Sequence, residues 1–276
     1  MKQKSACSVL KKDISFVSHS SSLYRKAGRY GLFLLILLFH LSIPLSLHAG
    51  TPIKVGVYEN PPVLYKANNG VFKGLLIEVF EHIALKEGWK FEIIEGTLKE
   101  CLGRLENGEV DILVYFSYTE ERAKKYDFTK ETLFSNWGVV YIPSDLEIES
   151  ILELNNKKVA MLGKSILTSE FKKLTRKLNI KSYITEVDSN HAVLQLIEEK
   201  RVDAGVVNRL FGASQAKNYK IKKTSIIYSP AEVGYAVKKG KNTDLITAID
   251  NHLAMLKKDE GSIYHLSGSI TGLLKI

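Results

Sequence analysis

Arg122 is where the chemistry of this sequence concentrates. It follows the apolar run Ile112-Leu113-Val114-Tyr115-Phe116 by a few residues, with Ser117 and Thr119 between. A guanidinium is planar, charged, and presents five donors in a fork that matches a carboxylate. Two hydroxyls close to it in the chain make anion recognition one reading of the stretch. A surface arginine paired with Glu120 or Glu121 is the other, and the stretch alone leaves both open. Gly163-Lys164-Ser165 stands before a helical pattern, where free backbone amides favour an anion. The spacing of a phosphate loop is absent there, and a plain turn with a solvated lysine explains it equally well. Asn208 ends the strand pattern Val202-Asp203-Ala204-Gly205-Val206-Val207. Its amide can hydrogen-bond a ligand but cannot neutralise a buried cation. Tyr58 and Trp137 are aromatic candidates for flanking the apolar part of a ligand. No metal-ligand spacing, nucleophile elbow or dinucleotide loop appears, so no catalytic residue, metal or cofactor is expected. Glu59 and Glu232 are the two carboxylates that could act as a general acid near the same edge or crossover, and surface exposure explains each more simply.

The elements that must position these residues read as an α/β chain. Val110, Ile112 and Val114 are β-branched, and the five apolar residues from Ile112 to Phe116 run without a break, as in a strand covered on both faces of a parallel sheet. Ser117 and Thr119 are N-cap types, and Glu120 and Glu121 suit a first helical turn carrying Arg122. Ile53 to Val57 is a second strand, broken at Tyr58-Glu59-Asn60-Pro61-Pro62. An amphipathic helix through Leu75, Val79 and Ile83 ends at Gly88. Lys90 to Ile94 alternates as a strand, and Thr97-Leu98-Lys99-Glu100 opens a helix with a capping box that Asn107-Gly108 closes. The βαβαβ order predicts a doubly wound parallel sheet, which binds small ligands at the carboxyl ends of its strands.

An aromatic stretch from Phe134 to Tyr141 then leads into a second lobe. Strands are predicted at Lys158 to Met161, Tyr183 to Val187 and Val202 to Val207. Between them lie helices through Phe171 and Leu174 and through Val193, Leu196 and Ile197, the latter capped by Asp188 or Ser189. The chain crosses back around Ile226 to Val237, and a last long helix, 243–258, closes over the first lobe. The expected organisation is a leader at 1–49, a first lobe from 50–138 and 230–276, and a second from 139–229.

Composition supports globular material: 276 residues, 45% hydrophobic and 25% charged. The net charge of +9 is concentrated at the start, since residues 1–49 hold seven of the 39 Lys/Arg and one of the 30 Asp/Glu. The remainder has 32 basic against 29 acidic residues, a net +3, which is no nucleic-acid footprint. Arg25, Lys26 and Arg29 precede an apolar run from Leu32 to Leu47 that ends at His48-Ala49-Gly50. That pattern predicts a secretory signal peptide cleaved after Ala49 and an exported mature chain, expected in the periplasm. An uncleaved anchor is the rival, but the run is short of the roughly 20 apolar residues a spanning helix needs. Cys7 lies in the leader, and Cys101 is expected to pack as a small apolar side chain.

The segment Ser117-Tyr118-Thr119-Glu120-Glu121-Arg122-Ala123-Lys124-Lys125-Tyr126-Asp127-Phe128-Thr129 resembles the signature of family 3 extracellular solute-binding proteins, T-x-T-x-E-R-x-x-x-x-D-F-S. Gly74-Leu75-Leu76-Ile77-Glu78-Val79 is similar to the family's G-F-x-x-D-L motif, Pro61-Pro62 to its Y-P-P-F turn, and Val202-Asp203-Ala204 to its V-D-A strand. The resemblance covers about residues 52–266. It implies the two-lobe periplasmic-binding-protein fold of type II, with two doubly wound sheets joined by a double hinge. It implies a small carboxylate-bearing, amino-acid-like ligand, held by Arg122 with Ser117, Thr119 and Tyr58. The family's carboxylate-binding K-G-S-T turn falls at Gly163-Lys164-Ser165-Ile166, with glycine and lysine exchanged. Asn208 stands where amino-acid receptors carry an ammonium-pairing Asp. The implied role is ABC-type import or ligand sensing by a monomer that partners an ABC permease or a membrane-bound sensor, and not a nucleic acid. Sensory ectodomains of bacterial membrane receptors share the Val-Asn-Arg-Leu-Phe-Gly version of the strand end. A periplasmic enzyme of the cyclohexadienyl dehydratase type is the alternative on the same fold.

Overall fold

In the computed structural model, residues 51–270 are described, with side chains to 268; the expected leader lies outside them. Strand β1 (Ile53–Val57) pairs in parallel with β4 (Phe91–Glu95) on one side and β5 (Ile112–Ser117) on the other. Helix α1 (Leu75–Glu87) makes the first crossover and buries Leu75, Leu76, Ile77, Val79, Phe80, Ile83 and Ala84. It ends at Gly88, whose φ of 69° is the left-handed conformation that lets its N–H reach back to the last carbonyls. Helix α2 (Leu98–Asn107) makes the second and begins at a complete capping box between Thr97 and Glu100. A short hairpin, β2 (Tyr65–Lys66) with β3 (Phe72–Lys73), precedes α1.

After β5 the chain forms a single turn, α3 (Glu120–Ala123), and the short strand β6 (Tyr126–Phe128). It then enters β7 (Phe134–Pro143), which leads to the second lobe. There β8 (Lys158–Leu162) lies between β9 (Tyr183–Val187) and β10 (Ala204–Asn208), all parallel. Helices α4 (Ile166–Lys177) and α5 (Asn190–Glu198) connect them, and α6 (Arg209–Gln215) follows β10. The return strand β11 (Ile221–Lys238) is 18 residues long. Helices α7 (Thr243–Leu256) and α8 (Ile263–Ile270) finish against α1.

Two doubly wound halves are present, and they are continuous rather than separate. The strand order is β4-β1-β5-β11-β7-β10-β8-β9, with β6 also on β11. β11 is antiparallel to β5 and to β7, and β7 is antiparallel to β10, so this pair carries the sheet from one lobe to the other. The β7/β11 register breaks between Lys223 and Ile227 and again between Tyr228 and Ala231. Ser229, at φ 54°, and Pro230 lie in the second break. The apolar core is divided accordingly. One cluster gathers Val57, Phe80, Phe116, Tyr235 and Leu253. Two others cover the faces of the second half, around Phe171 with Val206 and around Val193 with Phe211. Cys101 is fully buried, its thiol donating to the Val57 carbonyl at 3.3 Å and pushed up to about 11 by burial.

Candidate functional site

The ends of β1, β5, β8 and β10 face one another across the gap between the halves, and β7 crosses behind them. A cavity of about 50 Å³ lies there. Of the seven residues singled out from sequence, Tyr58, Ser117, Arg122, Trp137, Ser165 and Asn208 line it. Thr119 does not. It caps α3, its hydroxyl accepting the Arg122 N–H at 3.0 Å, and borders a more open depression on the other side of Arg122. Its place is to hold the turn that carries the guanidinium.

Arg122 is the one charged side chain among the cavity's lining residues. The guanidinium lies over the Phe116 ring at 4.0 Å. Nη1 donates to the Ser117 carbonyl at 2.8 Å and Nη2 to the Lys164 carbonyl, in the other lobe, at 3.2 Å. Two of its five donors are thus placed, and three remain beyond these bonds. Glu121, expected as a surface partner, instead reaches Lys173 at 3.8 Å. Burial pushes the guanidinium down to about 10, which leaves it a cation at neutral pH.

The aromatic wall is built from β1 and β5. Tyr58 stacks on Tyr115, with ring centroids 5.4 Å apart, and donates its hydroxyl to the Tyr115 carbonyl at 3.1 Å. Burial raises both phenols, Tyr115 to about 12. Trp137, on β7, carries the Arg209 guanidinium over its ring at 4.3 Å. Ser165 caps α4, accepting the Thr168 N–H at 3.2 Å.

The remaining polar wall is a chain of asparagines, of which sequence reasoning identified one. Asn208 caps α6, its Oδ1 accepting the Phe211 N–H at 3.0 Å. That same oxygen accepts from Asn136 Nδ2 at 3.0 Å, and Asn136 Nδ2 also reaches the Tyr115 hydroxyl at 3.2 Å. Asn208 Nδ2 donates to Asn60 Oδ1 at 2.8 Å, and Asn190 Nδ2 donates to the same atom at 3.0 Å. Asn60 and Asn190 each lie three residues past a strand end, of β1 and of β9, which is a positional signal but no motif. Asn136 lies within an aromatic strand and has no such signal. The two carboxylates considered as acids are elsewhere. Glu59 borders a neighbouring depression and accepts the Lys66 N–H at 3.1 Å. Glu232 is exposed on β11 and accepts from the Ser135 hydroxyl at 3.0 Å.

Comparison with known proteins agrees with this architecture. The family described as "Bacterial extracellular solute-binding proteins, family 3" matches residues 53–267. The "Probable amino-acid-binding protein YxeM" of Bacillus subtilis (strain 168) is 30% identical over 220 residues, which are 76% of this chain and 79% of that protein. Among solved structures, an ancestral arginine-binding protein bound to glutamine superposes with a TM-score of 0.71 at 27% identity, covering 80% of this chain and 98% of the other. A histidine kinase sensor domain with similarity to periplasmic binding proteins shares the fold, with a TM-score of 0.70 at 22% identity over 80% of this chain and 96% of its own. The cleft between two α/β halves, the arginine at its strand edge and the match over most of the chain lead to one conclusion: this chain belongs to the family 3 bacterial extracellular solute-binding proteins.

Proposed function

We propose that the cleft binds a small carboxylate-bearing solute of amino-acid dimensions, with Arg122 as the anion anchor. The observation that carries this reading is that a single charged side chain, a guanidinium with unspent donors, lines the cavity between the halves. Ser117 and Ser165 supply hydroxyls beside it, and Tyr58 and Trp137 supply apolar faces. Binding is favoured over catalysis, because neither Glu59 nor Glu232 borders the cavity and a dehydratase needs an acid poised there. Similarity to the "Putative amino-acid ABC transporter-binding protein PatH" of Vibrio harveyi supports delivery to an ABC permease, and the resemblance of Val207 to Gly212 to sensory ectodomains supports a membrane-bound sensor as the other partner. Removing one member of a buried charge pair costs about 2–5 kcal/mol, so Arg122→Ala should weaken binding at least about thirtyfold. Thermal shift and titration calorimetry over amino acids, organic acids, amines and short peptides test this. Hits that bind the variant as tightly as the wild type would place the anchor elsewhere.

The second part of the proposal is export. The basic flank, the apolar run and the Ala49-Gly50 exit support an exported, periplasmic mature chain beginning at Gly50, and the crossings of β7 and β11 support lobes of 50–138 with 230–276 and of 139–229. Intact-mass measurement of the protein from the cell envelope should find that N-terminus. Retention of residues 1–49 would show that the leader is not removed.

A further inference from the structure

Resting on Arg122 as the carboxylate anchor, we propose that this cleft selects carboxylates whose adjoining carbon carries a hydrogen-bond acceptor, as in a 2-oxo acid, over the corresponding amino acids. The orientation of the asparagine chain decides it. The Phe211 N–H donates to the Asn208 side chain, so the atom it meets is the oxygen and the amide cannot be reversed. Asn208 Oδ1 then takes a second donor from Asn136, and both its lone pairs are used. Its nitrogen is turned toward Asn60, whose oxygen accepts from Asn208 and from Asn190 and is likewise filled.

An α-ammonium brings three donors and a full charge, and desolvating it without partners is costly. The Asn208 side chain offers such a group no open acceptor. What is left over is a donor. Asn60 is wholly buried and borders the cavity, and its Nδ2 makes no well-formed hydrogen bond, the Tyr115 hydroxyl being its neighbour. The Tyr115 oxygen has already accepted from Asn136. A second cation, Arg209, lies over the Trp137 ring that forms part of the wall. Donors and positive charge on the wall fit an acceptor on the ligand.

The nearest carboxylates do not alter this. Glu59, Glu95, Glu100 and Asp188 border an adjoining depression and not the cavity. Glu95 pairs with Lys66 at 2.5 Å, and Glu100 holds the Thr97 N–H at 2.8 Å.

The test uses protein purified from cells expressing the full chain, titrated with three matched pairs: pyruvate and alanine, 2-oxoglutarate and glutamate, 4-methyl-2-oxopentanoate and leucine. In the pair that fits the cleft, the oxo acid should bind at least tenfold more tightly. Asn208→Asp keeps the cap on Phe211 but presents a carboxylate, and Asn60→Asp replaces the Nδ2 donor by an acceptor. Either variant that folds should shift the preference toward the amino acid. An amino acid that binds the wild type as tightly as its oxo acid, and loses that binding in Arg122→Ala, overturns this inference and leaves the anchor standing. Binding of either class that survives Arg122→Ala overturns the anchor and the inference together. No binding by any of the six, or Asp variants with unchanged preference, also overturns it.

Discussion

The signature stretch contains, five residues after Arg122, a carboxylate with a different task. Asp127 Oδ1 accepts from Lys239 Nζ at 2.6 Å, and Oδ2 accepts the Gly240 N–H at 2.7 Å. The Lys239 bond, and then the backbone bond, hold this carboxyl below its ordinary range. A depressed carboxyl contributes stability above its unfolded value near 3.9, and loses it as pH falls through the lower folded value. Asp127→Asn should therefore cost about 1 kcal/mol at pH 7, discounted for the part-exposed pair, and the difference should close in strong acid. Urea unfolding of both proteins at pH 7 and near pH 2 measures it. A gap that persists undiminished near pH 2 would assign the effect to packing. At this scale Arg122 was legible in the sequence through the resemblance of Ser117 to Thr129 to a family signature, while the stretch alone left a surface arginine open. The asparagines were not legible. Asn60, Asn136 and Asn190 belong to no motif, and their meaning arises only when two distant strand edges are brought together.

Elements whose pattern is long enough to show a period form where the sequence predicts them. Helices α1, α2, α4, α5 and α7 form where predicted, α1 burying Leu75, Val79 and Ile83, α4 Phe171, and α5 Val193 and Ile197, while Leu174 and Leu196 are only partly buried; β1, β4, β5, β8, β9 and β10 follow the predicted runs. The elements that were not legible are short or interrupted. Helix α6 spans seven residues with Gly212 inside it, too few turns to display a period. Strand β11 contains Ser229-Pro230, which reads as a strand end, yet the strand continues past them through a register break. Within α2 the start matters to the site, since Leu98 follows the cap directly and lines the cavity. Thr97 accepts the Glu100 N–H at 3.2 Å, and Glu100 accepts the Thr97 N–H in return. Replacing such a cap by alanine costs about 1 kcal/mol. Thr97→Ala should lower stability by that amount in a denaturant titration. A loss below about 0.3 kcal/mol would mean that the first turn is held by Leu98 packing instead.

At the scale of the molecule, two lobes could be read from the repeat of the βαβ pattern, but not that one sheet runs through both. Sequence periodicity ends at each lobe, whereas β7 and β11 are long strands that belong to both. Their register break at Tyr228 to Ala231 lies directly opposite Asn136 and Gly138, beside the cleft. Such a break is a place where two long strands can bend without losing the rest of their ladder, which suits a hinge. Across the cleft from it, the lobes are bonded to each other. Asn60 takes donors from Asn190 and Asn208, Arg122 reaches Lys164, and Ser214 Oγ donates to the Pro61 carbonyl at 3.4 Å. These bonds exist only when the lobes are together, so they shift the balance between open and closed forms. Asn60 supplies two of them. A neutral hydrogen bond is worth about 1 kcal/mol net, so Asn60→Ala should move the free protein toward the open form by a factor on the order of ten to thirty. Apparent affinity falls with the fraction of competent closed form, so ligand binding should weaken alongside. Solution scattering reads the first effect and calorimetry the second. The variant should show a larger radius of gyration than the wild type without ligand, and the same radius once saturated. Equal radii in the free state, with affinity unchanged, would mean that the asparagine bridge does not govern closure.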